Sequence, residues 1–380
     1  MAYDKVVDSA SLDSKLTQVA DAIRTKGNTS ADLQFPSGFI SAIQAIQTGA
    51  ELKIIVSVAS GATVTATKGS KVVSGTSVDG TCTLTVPESG TWSVKATLNG
   101  ETSDTKSVTF TDRYAVTLSF VSAVLNDNDW ATIKKISDKG EGANYWSIGD
   151  RKEVTLNGTV GHLTLSNYTT YAFIIGFNHN QNLEGTNRIH FQLGKTALSG
   201  GMDVALCDSS YLSSVSTTGY FSMNSSRTNS GGWESSQMRT TICGTNLSSY
   251  SGTIIAVIPA ELRMMLKSVT KYTNNTGDSS AASAVTATTD YFFLLSEYEE
   301  FGITVRGNTN ESNKQAQYSY YSAGNSKVKY NHSATSTGVI YVCRSPGIGN
   351  SEGFVTADAA GNLNGSLADF SLGFAPGFCV

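Results

Sequence analysis

Charge is scarce in this chain. Only 15% of its 380 residues are Asp, Glu, Lys or Arg, and 31 acids against 27 bases leave a formal net charge of −4. So small and even a charge excludes a polybasic surface for nucleic acid or anionic lipid. No apolar run approaches the roughly twenty residues of a membrane-spanning helix, so no membrane insertion is expected. Proline is scarce, with five residues against 36 glycines, which describes a turn-rich β protein rather than a disordered one. The five cysteines, Cys82, Cys207, Cys243, Cys343 and Cys379, are odd in number and far apart, with no C-x-x-C pair. They fit buried apolar thiols of a chain made in a reducing compartment, and a Cys343–Cys379 bridge stays open. MAYDKVVDSASLDSK lacks the basic and apolar regions of a secretory signal.

Catalytic and metal signatures are also missing. His162, His179, His190 and His332 include no i, i+4 pair, and none has a cysteine beside it. NHN at 178–180 reads as a turn rather than a ligand pair. NDND at 126–129 has neither the glycine nor the glutamate that a calcium loop needs further on, and a helix cap explains it better. G-x-S-x-G and phosphate-loop patterns are absent. Glu297, Glu299 and Glu300, with Asp290, are the best hydrolase carboxylates on offer. Adjacent glutamates after an apolar strand more commonly begin a solvated helix. No catalytic residue, cofactor or metal is therefore expected.

What is present falls into three parts. In residues 1–50, Ser11 or Asp13 can cap a helix carrying Leu16, Val19, Ala20 and Ile23, which Gly27 stops. Pro36 and Ser37 open a second helix with Phe39, Ile40, Ile43 and Ile46, ended by Gly49. So small a hairpin needs a partner surface, either a docking site or sister chains. Residues 51–120 switch to period two, with strands every eight to twelve residues and Leu84, Val86, Trp92, Val94 and Ala96 facing inward. In 121–380 the period changes again. Asp127 or Asp129 begins a helix carrying Trp130, Ile133 and Ile136. Stretches 233–243 and 259–267 read as helices, and DYFFLLSEYEEFG reads as a buried strand entering a helix or turn. From Tyr318 to Asp369, Tyr318, Tyr320, Tyr321, Tyr330 and Tyr341 alternate with Ser, Asn, Gly and His. Paratopes use this mix, because tyrosine gives large amphipathic contact at low entropy cost. The same residues also fit strands with tyrosine on a half-buried face.

Two resemblances bear on function. ADAIRTKGNTSADLQFPSGFISAIQAI (20–46) resembles the N-terminal segment of tail and fibre proteins from phages of Gram-positive gut bacteria. Residues 51–120 resemble immunoglobulin-like or carboxypeptidase-regulatory-like spacers. Across 121–380, Trp130, W-S-I-G-D (146–150), G-G-W-E (231–234), F-L-L-S (293–296), R-S-P (344–346) and G-F-A-P-G-F (373–378) occur in an order similar to a domain of unknown function of gut bacteria and their phages. That domain resembles the C-type-lectin-like fold of formylglycine-generating enzymes and of retroelement-diversified variable proteins. The resemblance implies a multidomain, mainly β fold: helical attachment or oligomerisation segment 1–50, Ig-like β-sandwich 51–120, and C-type-lectin-like α+β domain 121–380. It implies a virion protein, made in the bacterial host cytoplasm, that binds a host cell-surface glycan or protein. The expected ligand contacts are Tyr318, Tyr320, Tyr321, Tyr330, His332, Tyr341 and Asn350. Residues 1–50 would hold other tail proteins, and such fibres are homotrimers, although no heptad repeat is visible. The paired C-terminal cysteines of the oxidising enzymes and the E-P-N, Q-P-D and W-N-D calcium motifs of animal lectins are missing. The alternatives are a tail-associated polysaccharide depolymerase and a decoration protein without a ligand.

Overall fold

The computed structural model describes residues 9–27, 30–111, 113–118, 120–211 and 221–380, apart from 46–50. The chain divides into two compact units, Met1–Phe120 and Val121–Val380. Strands outweigh helices, and they form several separate sheets.

The first unit begins with α1 (Ser9–Gly27) and α2 (Ser37–Ala45). The first helix already runs at Ser9, ahead of the expected caps Ser11 and Asp13. Ala20, Ile23 and Phe39 are buried together, with Leu16, Leu33 and Ala42 against them. Val19, Ile40 and Ile43, expected on the packed faces, are about half exposed, because two short helices meet along only one narrow stripe. Ile46 and Gly49 lie outside the described residues.

Eight strands follow: β1 (Lys53–Ser57), β2 (Thr63–Lys68), β3 (Lys71–Thr76), β4 (Thr81–Thr85), β5 (Gly90–Leu98), β6 (Glu101–Thr102), β7 (Lys106–Phe110) and β8 (Arg113–Thr117). They form two sheets, β4-β1-β8 and β3-β2-β5-β6 with β7 also on β5. Leu84, Val86, Trp92, Val94 and Ala96 are buried as the alternation predicts, in one cluster with Ile54 and Val56.

In the second unit, Asp129 caps α3 (Trp130–Asp138) by accepting the Thr132 N–H at 2.6 Å, and Trp130, Ile133 and Ile136 are buried. A long hairpin, β9 (Arg151–Val160) and β10 (Leu163–Phe177), leads to β11 (Ile189–Lys195) and β12 (Val204–Ala205). Next come β13 (Val269–Asn274), β14 (Val285–Asp290), β15 (Phe292–Phe293), β16 (Lys329–Asn331), β17 (Ala334–Val339), β18 (Tyr341–Pro346), β19 (Gly353–Ala357), β20 (Leu363–Leu367) and β21 (Gly377–Cys379). The main sheet runs β15-β21-β11-β10-β9, so the end of the chain lies within it. Smaller sheets are β12-β16-β17, β13-β14 and β18-β19-β20.

Two expected helices are much shorter. In 233–243 only Met238–Cys243 is helical, with π geometry, and in 259–267 only Ala260–Arg263, with Pro259 as cap. Gly232 makes a tight turn just ahead of the first. Its φ is +54°, and a Cβ there would lie 2.1 Å from the Asn274 carbonyl. All five cysteines are buried free thiols, so Cys343 and Cys379 are not bridged.

Candidate functional site

The tyrosine-rich stretch builds a buried polar core before it builds any surface. Ser296 caps the helix Glu297–Phe301 in a capping box with Glu299. This turns Glu299 inward, where Arg344 grips it through both terminal nitrogens and Lys271 Nζ lies 2.9 Å away. Lys271 also donates to Glu184 at 2.7 Å and to the Tyr318 hydroxyl at 2.7 Å. Arg344 spends its remaining donors on Thr273 Oγ1 and the Leu294 carbonyl, each at 2.7 Å, and on the Tyr272 carbonyl at 3.4 Å. Two cations and two carboxylates thus balance in a space closed to water, which is what makes burying them tolerable. Burial alone would raise the Glu299 carboxyl, but Arg344 and Lys271 outweigh it and hold it low. Burial pushes Glu184 up to about 7 and pushes His179 down to about 3, the latter with help from Lys271.

His179, Glu184 and Glu299 present ligand atoms within 4.8 Å of one another, the makings of a metal site. The Lys271 ammonium already occupies the position a cation would take between the two carboxylates. With Lys271 between the carboxylates, the cluster is an ion network.

The expected ligand contacts need correction. Tyr318, Tyr320, Tyr321 and Tyr341 are buried. Each hydroxyl is engaged: Tyr318 with Lys271 and with His190 Nδ1 at 3.0 Å, Tyr320 with Lys195 at 2.7 Å, Tyr321 with Gln192 Oε1 at 2.6 Å, and Tyr341 with Glu300. A phenol in an apolar interior needs such a partner, and buried lysines and glutamates supply it. Tyr320 and Tyr321 sit on a short helix, Ser319–Ser322, that turns both rings inward. Tyr330 and His332 are half-buried, and His332 Nδ1 accepts the Cys207 N–H at 3.1 Å. Asn350 is exposed. Glu297, Glu299 and Glu300, expected on a solvated helix start, are all buried, which leaves them closed to a polysaccharide substrate.

The open ground lies beside that core. A cleft of about 360 Å³ is lined by Val305, Arg306, Gly347, Ile348, Asn350, Gly353, Phe354, Val355, Gly365 and Ser366. Its walls are fixed from behind. The buried Glu297 carboxylate accepts the N–H groups of Val305, Arg306 and Gly307 at 2.8, 2.9 and 2.6 Å. The buried Asn229 side chain donates to the carbonyls of Gly347, Asn350 and Gly353 at 3.0, 2.9 and 3.0 Å. Ile348 N–H donates to the Arg306 carbonyl at 2.8 Å and joins the walls. Rigid anchoring behind irregular loops is how a recognition surface holds its shape.

Two other clefts in this unit offer less. One of about 470 Å³ contains Arg151, whose guanidinium already donates to the Ala197 and Gly200 carbonyls. One of about 390 Å³ is lined by Ser, Thr, Asn and Gln alone. Of the seven expected contacts, only Asn350 lines the 360 Å³ cleft. Arg306, Ile348 and Ser366 were missed; the signal available was an arginine within the Gly-, Asn- and Ser-rich segment after a capped helix.

Residues 209–380 match a protein family described as a domain of unknown function (DUF6273). The matched span holds Ser296, Glu297, Glu299, Arg306 and Arg344, while His179 and Glu184 lie outside it. No curated protein and no solved structure matches the chain.

Proposed function

We propose that this chain is a phage tail-fibre or receptor-binding protein that recognises a host cell-surface ligand. Residues 121–380 are its ligand-binding head, of C-type-lectin-like type. Residues 51–120 act as an Ig-like spacer, and residues 1–50 attach the chain to other tail proteins or to sister chains in a homotrimer. The observation that carries the reading is the 360 Å³ cleft, whose irregular walls are clamped by Glu297 and Asn229. Such a frame suits binding without bond-making. The exposed apolar side chains of α1 and α2, Val19, Ile40 and Ile43, support an attachment role for the N-terminal hairpin. Several weak heads on one particle would bind strongly through effective concentration.

The reading is tested with the purified full chain and the phage's host cells. Saturable binding, competition with phage adsorption and no new reducing ends in the surface polysaccharide are expected. A chain that neither binds nor competes would sink it, and release of reducing ends would favour the depolymerase.

A further inference from the structure

Three side chains of the cleft, Arg306, Asn350 and Ser366, can donate hydrogen bonds, and one of them carries a full charge. Arg306 is exposed, and its guanidinium has no hydrogen-bond or ion-pair partner among the described residues. Its position is known from its neighbour: a Cβ added to Gly365 would lie 3.5 Å from an Arg306 terminal nitrogen, so the guanidinium lies over β20 at the cleft. Its backbone is pinned on both sides, by Glu297 at the N–H and by Ile348 at the carbonyl. Asn350 spends its side-chain oxygen on the Glu352 N–H at 3.0 Å, which leaves the amide nitrogen to donate. The Ser366 hydroxyl, half-buried on β20, has no partner among the described residues. Val305 stands 71% exposed beside them, an apolar wall.

Arginine is the cation that reads planar or branched oxyanions through paired N–H groups. With one arginine, an amide donor and a hydroxyl along an apolar wall, the cleft suits a ligand with a single negative oxyanion on a hydroxylated body. We infer that the cleft takes an anionic saccharide, and that Arg306 receives its carboxylate or phosphodiester group. A uronic acid and a sugar- or polyol-phosphate polymer share that chemistry. This rests on the ligand-binding reading of the head and names the class of ligand.

The test uses the full chain, wild type and Arg306→Gln and Arg306→Lys variants, with calorimetry and cell binding side by side. The probes are an oligogalacturonate, its carboxyl-reduced neutral counterpart and an oligomeric glycerol phosphate. Because the exposed Arg306 side chain makes no hydrogen bond or ion pair among the described residues, both variants should melt with the wild type. The wild type should bind one of the two anionic probes, weaken with added salt and bind the neutral counterpart at least roughly tenfold more weakly, as loss of a charge-assisted pair predicts. Arg306→Gln should lose the same factor, and Arg306→Lys should recover part of it. Whichever anionic probe binds identifies the group. If cells are bound but the anionic and neutral probes are equivalent, or Arg306→Gln binds cells as the wild type does, the inference falls and the reading of the head stands. If neither cells nor probes are bound, both fall.

Discussion

At the residue scale, the second unit is organised around charges placed where solvent cannot reach them. Glu299 compensates both Lys271 and Arg344, so removing its charge strands the buried Arg344 and leaves Lys271 with Glu184 alone. Glu299→Gln should cost about 3–5 kcal/mol in urea unfolding, the range for breaking a buried ion pair; a loss below about 1 kcal/mol would show the network to be dispensable. The same groups set an acid response. Burial keeps His179 and His190 neutral well below their ordinary range, so below about pH 6.5 the unfolded chain takes up protons that the native state refuses. Glu299, held low, adds a third such group below the usual glutamate range. Glu184 and Glu311 act oppositely: burial raises each to about 7, so their contribution is full below about pH 4.5 and fades as pH rises through 7. Burial also lowers His332 and raises Glu300, so the imidazoles and these carboxyls offset one another between about pH 4.5 and 6.5. Below that the imidazoles and Glu299 remain, each costing up to about 1.4 kcal/mol per pH unit. A melting midpoint of the second unit that is nearly level from pH 6.5 to 4.5 and falls steeply below is expected; a rise on further acidification would contradict it.

At the element scale, local signals lie in the sequence and non-local ones do not. The alternation of 51–120 and the Asp129 cap of α3 depend on neighbours in sequence, and the structure has them where the pattern puts them. Asp129→Ala should cost about 1 kcal/mol in thermal or urea unfolding, while an unchanged midpoint would mean that tertiary packing alone holds the helix. The glutamates 297–300 defeated the same logic. Their partners are distant: Glu299 meets Lys271, 28 residues before it, and Arg344, 45 residues after it, while Glu300 accepts from the Tyr341 hydroxyl. A sign was present in β13, where Lys271 and Thr273 share the inward face with Val269. A lysine on the apolar phase of a strand asks for a buried acid. The tyrosines misled for the complementary reason: composition reports that a residue can make amphipathic contacts, and only the fold decides whether the partner is a ligand or a buried lysine.

At the scale of the whole molecule, the mainly β architecture was legible and the candidate site was legible only in outline. The segment 318–369 does border the cleft, through Asn350, Phe354 and Ser366, but four of its tyrosines are buried away from that lining and its glycine-rich turns form the surface. Arg306 comes from outside that segment. On the proposed reading, recognition occurs in this open cleft and not through the buried rings. It is tested most directly by the affinity of the full chain for host cells in two variants. Gly365 has a negative φ and only ordinary van der Waals neighbours around an added Cβ, so Gly365→Trp can fill the cleft without straining the backbone. Tyr321→Phe removes a buried hydroxyl bonded to Gln192 and should lower stability by about 1 kcal/mol. The account predicts that Gly365→Trp abolishes binding while melting normally, and that Tyr321→Phe binds as the wild type does. Undiminished binding by Gly365→Trp would contradict it.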